Sequence, residues 1–294
     1  MMKTSHVMLV CLGVAAVALT WGGGKTREKS WTIDGASLAI VSPCAKTVTI
    51  EPSSDLAGKI EIAATAKRQS ELDQLDITGG AIAAIGLQGG HCKGKGPHIS
   101  FSFLRLGIES GPSLAITVKV PAGMAIDIKE SKSTEYDIGA IGGALALDLS
   151  GTGDVSVDDA KDPVMHLSGS GDVQLDRVSG KLEGRLSGSG DLSIAHAEVS
   201  DADLANSGSG DLSVDEGDFA SLAIRLSGSG DASVGEGKIG LLTVISSGSG
   251  DAQIDAVAAD ADLSAGGSSD IAVHSVTGQL KQVRHGSATI KIGS

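Results

Sequence analysis

The sequence predicts an all-β fold, a parallel β-helix of about 19–20 residues per turn with an N-terminal β cap. Three observations lead there. First, a Ser-Gly-Ser-Gly-Asp turn recurs at 168–172, 187–191, 207–211, 227–231 and 247–251. Its aspartate heads a longer series, Asp154, Asp172, Asp191, Asp211, Asp231, Asp251 and Asp270, spaced 18, 19, 20, 20, 20 and 19 residues apart. Second, apolar residues alternate with polar ones after each aspartate. Leu192 and Ile194 are matched by Val173 and Leu175, Leu212 and Val214, and Ile271 and Val273. A period of two marks strands with one buried face. Third, Gly is abundant at 42 residues while aromatics are only 2%, a composition suited to short strands and tight turns.

The chain divides into three parts. Residues 1–24 read as a signal peptide: Lys3 and His6 precede the apolar run 7–20, which is shorter than the ~20 residues of a spanning helix. This segment is expected to meet the membrane during export, either cleaved afterwards or kept as an anchor. Residues 25–120 lack the repeated turn, but 31–43, 46–53, 59–66 and 114–123 alternate as strands. They are read as a β region capping the solenoid. Residues 121–294 form the repeat, with Glu135 and Thr289 at the aspartate position in degenerate end copies.

Within a repeat, the apolar positions suggest two short strands and a corner residue such as Val199, Phe219 or Ile239. A helical solenoid is disfavoured, because no stripe at helical spacing persists and glycine recurs inside every unit. A row of antiparallel hairpins competes. Yet residues equivalent every ~20 positions stack most simply in parallel, rising ~4.8 Å per turn. In that arrangement glycine admits sharp bends through positive φ, and Ser168, Ser187, Ser207, Ser227 and Ser247 form a ladder. Each aspartate accepts amide hydrogen bonds in the turn.

Stacked carboxylates repel, and cations along the row would relieve that. Asp172, Asp191, Asp211, Asp231 and Asp251 are therefore calcium candidates, although turn capping is the favoured role and the spacing departs from calcium-binding nonapeptide repeats. No other cofactor is expected. Cys44 and Cys92 are the cysteines left after the signal segment. In an oxidising compartment they are expected to pair, closing a loop worth roughly 3–4 kcal/mol. His91, Cys92 and His98 cluster in one loop, which is read as structural rather than as a metal site.

The SGSGD units, downstream of a signal peptide and a short β region, resemble the bacterial head GIN domain family of auto-transporter adhesins over residues 30–294. The resemblance implies an exported, right-handed parallel β-helix and brings no catalytic residues. A periplasmic or extracellular location follows from it and from the signal segment.

A net charge of −13 and the lack of a basic stripe argue against nucleic acid. The reading is thus a non-enzymatic, adhesin-like module of the cell envelope or surface whose partner is an envelope protein or glycan. Two alternatives differ in class. One is a polysaccharide-active β-helix enzyme, which needs a few unique acids and bases in a cleft. The cations Arg177, Lys181, Arg185, Arg225 and Lys238 are too scattered for that. The other is a calcium-stabilised structural solenoid.

Overall fold

The computed structural model describes residues 14–15, 26–88 and 112–293. It is almost wholly β, a parallel solenoid of about eight turns. The repeat runs through six long strands, Val155–Leu167, Val173–Leu186, Leu192–Asn206, Leu212–Leu226, Ala232–Ser246 and Ala252–Ala265. Each pairs in parallel with the next, and the register follows the sequence period. Leu192 lies on Leu212, Leu212 on Ala232, Ala232 on Ala252, and Ala252 on Ile271.

Each coil is one continuous bent strand rather than two short ones. The burial pattern shows where it bends. In Leu192–Asn206 the buried residues are Leu192 and Ile194, then Ala197 and Val199, then Ala202, Leu204 and Asn206. Two consecutive outward residues, Ala195 with His196 and Ser200 with Asp201, interrupt the alternation. Each interruption turns the strand so that a new side keeps its apolar residues inside. The SGSG segment makes the third corner. Three inward-facing runs per coil therefore close around one core that extends from Trp31 to Ala288. Val, Ile, Leu and Ala fill most of it, and Phe219 stacks in register between Val199 and Ile239.

The same stacking continues on the N-terminal side, out of chain order. Ser37–Val41 pairs in parallel with both Ile82–Leu87 and Ala125–Glu130. Thr47–Ser53 pairs in parallel with both Ala115–Pro121 and Glu135–Ile138. An early pair of strands is thus inserted between two later layers. Beyond them the sheet turns antiparallel, with Lys59–Ala66 joining Ala115–Pro121 to Arg27–Asp34. Val14–Ala15 adds a short antiparallel bridge to Thr32 and Ile33. The rest of the 1–24 segment, together with His91, Cys92 and His98, lies outside the described residues, so the Cys44–Cys92 pairing remains an expectation.

A short helix, Gln69–Leu72, places Glu71 inside this end of the molecule. Burial opposes ionisation of Glu71. Its bonds from Arg68 and from the Ser113 hydroxyl and amide, with the Arg68 charge, outweigh burial and hold its pKa at about 2. The Ser113 hydroxyl donates to Glu71 Oε2 at 2.6 Å and its amide to Oε1 at 3.2 Å. Because the folded pKa lies below the ordinary value of 4.5, this stabilisation is complete above 4.5 and lost as pH falls through about 2. Thermal melts of the native protein and Glu71→Gln should differ by a constant gap down to about pH 5. The gap should close at lower pH; a gap that widens on acidification would contradict the sign.

Candidate binding surface

The turns that motivated the repeat form one flank. Glycine is required there for a reason other than φ. None of the glycines in the five SGSGD turns has a positive φ. Instead a Cβ on any of them would sit 1.9–2.1 Å from a glycine carbonyl oxygen of the preceding coil. The layers touch backbone to backbone, and only hydrogen fits between them.

The aspartates then complete the hydrogen bonding between layers. Asp172 Oδ1 accepts the amide of Asp191 at 2.9 Å, Asp191 that of Asp211 at 2.7 Å, and Asp211 that of Asp231 at 2.8 Å. Asp231 and Asp251 continue the row to Asp251 and Asp270, at 2.8 and 2.7 Å. Thr289 closes it with a hydroxyl on Asp270. The capping expected within each turn is therefore a bond between coils. Each carboxylate gains a charge-assisted bond that offsets repulsion from its neighbours.

Sequence reasoning missed that other corners use the same device. Asp162, Asp218 and Asp260 accept the amides of Lys181, Lys238 and Gln279 at 2.9, 2.9 and 2.7 Å. The signal was present as an aspartate 19 or 20 residues before the residue it caps, but without a conspicuous motif around it.

The inward column just before each turn carries leucine at Leu149, Leu167, Leu186 and Leu226 and alanine at Ala265, but polar residues at Glu130, Asn206 and Ser246. Asn206 takes the Gly208 amide at 2.9 Å and donates to the Gly210 carbonyl. Ser246 donates to Gly250 at 3.1 Å. Glu130 takes the Lys132 amide at 2.6 Å and the Tyr136 hydroxyl at 2.9 Å. Burial, then the Glu130 charge and hydrogen bond, push the Tyr136 phenol well above its ordinary pKa. These groups support the turn from inside.

Outside, the first serine column bonds downward: the Ser168, Ser207 and Ser247 hydroxyls reach carbonyls of the preceding coil at 3.4, 3.3 and 3.5 Å. Beside the aspartates runs a column of Ser156, Gln174, Ser193, Ser213, Ser233 and Gln253. Within it Ser213 donates to Ser193 at 3.1 Å. Next to that stand Asp158, Asp176, Asp215 and Asp255, all exposed. Thr49, Asp137, Ser156, Gln174 and Ser193 line an open groove on the N-terminal half of this flank.

No group of three or more His, Cys, Asp or Glu among the described residues is arranged to hold a metal ion. Each calcium candidate already commits one oxygen to a backbone amide. The cations lie apart, Arg177 on Asp176 at 3.3 Å, Lys181 on Asp201 at 3.9 Å, Arg185 on Glu183 and Arg225 on Asp203. Such exposed pairs contribute little to stability. Trp31, Tyr136 and Phe219 are buried, so among the described residues none of these rings faces a ligand. The arrangement presents a straight, acidic, hydroxyl-rich surface with regular rungs.

Residues 37–293 match the family model described as Toastrack DUF4097. Solved structures with the same fold include a candidate adhesin from Parabacteroides distasonis. It is 17% identical, covers 92% of this chain and 98% of its own, and has a TM-score of 0.56. A candidate adhesin from Parabacteroides merdae is 12% identical, covers 92% and 97%, and has a TM-score of 0.53. At these identities the likeness shows the fold. None of these matches shows head GIN membership. No curated protein matches the chain. Among the described residues, no helix is long and apolar enough to cross a membrane.

Proposed function

The chain belongs to the Toastrack DUF4097 family, and from that premise we propose that it is an exported, non-enzymatic binding module of the bacterial cell envelope or surface. Residues 1–24 deliver it across the membrane, and Cys44 and Cys92 pair in the oxidising compartment. The observation that carries this reading is the in-register flank. Its acidic and hydroxyl groups repeat in every layer instead of converging on one spot, which suits extended contact and not a single reaction centre. The names of the structurally similar adhesins support the same reading. The partner is an envelope protein or glycan that offers cations or hydroxyls to the flank. The flank is acidic, so a basic protein surface is the better complement.

The test is binding of the purified chain to washed envelope fractions, compared with Ser193→Lys/Ser213→Lys/Ser233→Lys. These side chains point outward, so the melting temperature should hold while saturable binding falls at least tenfold. Unchanged binding by the folded triple variant would remove the flank from the function. The module works without a bound cation. Melting curves with and without a calcium chelator should coincide, and a fall in melting temperature on chelation would revive the calcium row.

A further inference from the structure

The two ends of the solenoid differ. At the N-terminal end antiparallel strands close the stack. At the other end the last described strands are Asp270–Val276 and Leu280–Arg284, with Thr289–Ile292 one layer further on over Asp270–Val276. Leu280–Arg284 pairs only with Ala252–Ala265, and Thr289–Ile292 only with Asp270–Val276, among the described residues. The His285 amide bonds down to Ala265 at 2.9 Å, and the Thr289 and Gly293 amides bond down to Ser269 and Val273 at 3.2 and 3.0 Å. Alternate residues of a parallel strand face opposite neighbours. Leu280, Gln282 and Arg284 therefore turn their amides and carbonyls outward, as do Ile290 and Ile292.

Side chains on this edge continue the core columns. Leu280 stands over Ala261, Gln282 over Leu263 and Arg284 over Ala265. Leu280 is 43% exposed and Ile292 36%, whereas Ala261 and Val273 beneath them are buried. The charge also reverses. The chain as a whole carries −13, yet residues 271–294 hold Lys281, Arg284 and Lys291 and no Asp or Glu. Lysines often guard an open edge. Here Lys281 and Lys291 lean down onto Asp262 and Asp270, at 2.8 and 3.8 Å, and leave the edge clear. Arg284 has no carboxylate partner among the described residues.

We propose that this edge takes up an extended strand of a partner protein. The strand pairs in parallel with Leu280–Arg284, lays an apolar side chain over Leu280 and sets a carboxylate over Arg284. Main-chain hydrogen bonds supply affinity and the two side-chain positions supply selectivity, as in other strand additions to sheet edges. A second copy of this chain is a poor occupant through the same end, because the charged side chains of residues 271–294 are all basic and offer Arg284 no carboxylate. The site is separate from the acidic flank, so it goes beyond the flank-binding function and stands or falls independently of it.

The probe is an acetylated Thr-Leu-Thr-Val-Thr-Glu-Thr amide, with a control that carries Lys in place of Glu. Fluorescence anisotropy at low salt should show the Glu peptide binding about tenfold or more tightly than the Lys peptide. Amide exchange at Gln282 and Arg284 should slow only with the Glu peptide. Arg284→Glu should invert the preference and Arg284→Ala should erase it, with circular dichroism unchanged. Absence of binding by either peptide, equal binding, or a preference that survives both substitutions overturns the proposal. So does sedimentation of the unliganded protein as a dimer that Arg284→Glu dissociates, since that would assign the edge to a second copy.

Discussion

Gly208→Ala should destabilise the protein by about 3 kcal/mol or more, a large effect for one methyl group at a turn. The added Cβ would lie 2.0 Å from the Gly188 carbonyl oxygen. That oxygen belongs to a backbone locked in the stack, so no flexible side chain can yield. Ser209→Ala, one residue away, removes an exposed hydroxyl and should stay within about 0.5 kcal/mol. Denaturant unfolding of the two variants checks both numbers. Glycine chosen for turn conformation alone would tolerate alanine here, because the φ at Gly208 is open to any residue. A small effect at Gly208 would mean that the layers are further apart than described.

Excision of a coil should have still larger consequences, and they depend on its length. Removing 212–231 joins Asp211 to Ala232, which occupies the same position one layer on. The Asp191, Asp211 and Asp251 rungs then rejoin in register. The shortened protein should fold with an unchanged β spectrum, losing roughly one coil of stabilisation in a chain whose energetics are nearest-neighbour. Removing 212–221 instead places Leu222 where Leu212 stood. The turn, the corners and the amide caps then fall out of phase with both neighbouring layers. Cooperative unfolding should vanish for that variant. Circular dichroism and denaturant titration of the two deletions decide the matter.

The contrast between those deletions reflects what the chain makes legible. The period of the aspartates and the alternation of Leu192 with Ile194 repeat in every unit, so the parallel stack and its register could be read directly. The corners were harder. Ala195 with His196 and Ser200 with Asp201 mark bends only through a skipped alternation, which resembles noise until burial is known. Glycine in a turn points to unusual φ because that is its common use there. Its use for close layer contact depends on a neighbour 20 residues away, which local reasoning does not see. The aspartates were placed correctly at the turn, but their partner is the amide one coil on. The interleaving of Ser37–Val41 and Thr47–Ser53 between later strands left no trace in the repeat, since those segments carry neither the turn nor the period. The outward edge at Leu280–Arg284 was equally hidden. Its residues fit the columns, and only pairing shows that nothing described lies beyond them.

The central claim is that residues one period apart lie one layer apart. Ser193 and Ser213 test it most directly, since their hydroxyl oxygens are 3.1 Å apart. Replacing both with cysteine should give a disulfide under mild oxidation, because neighbouring parallel strands are spaced within disulfide reach. Peptide mapping by mass spectrometry should find the 193–213 cross-link in nearly all of the folded protein. Ser193→Cys/Ser233→Cys, two layers apart, should give none within a molecule. A 193–233 cross-link, or failure of 193–213 in folded protein, would contradict the stacked coil.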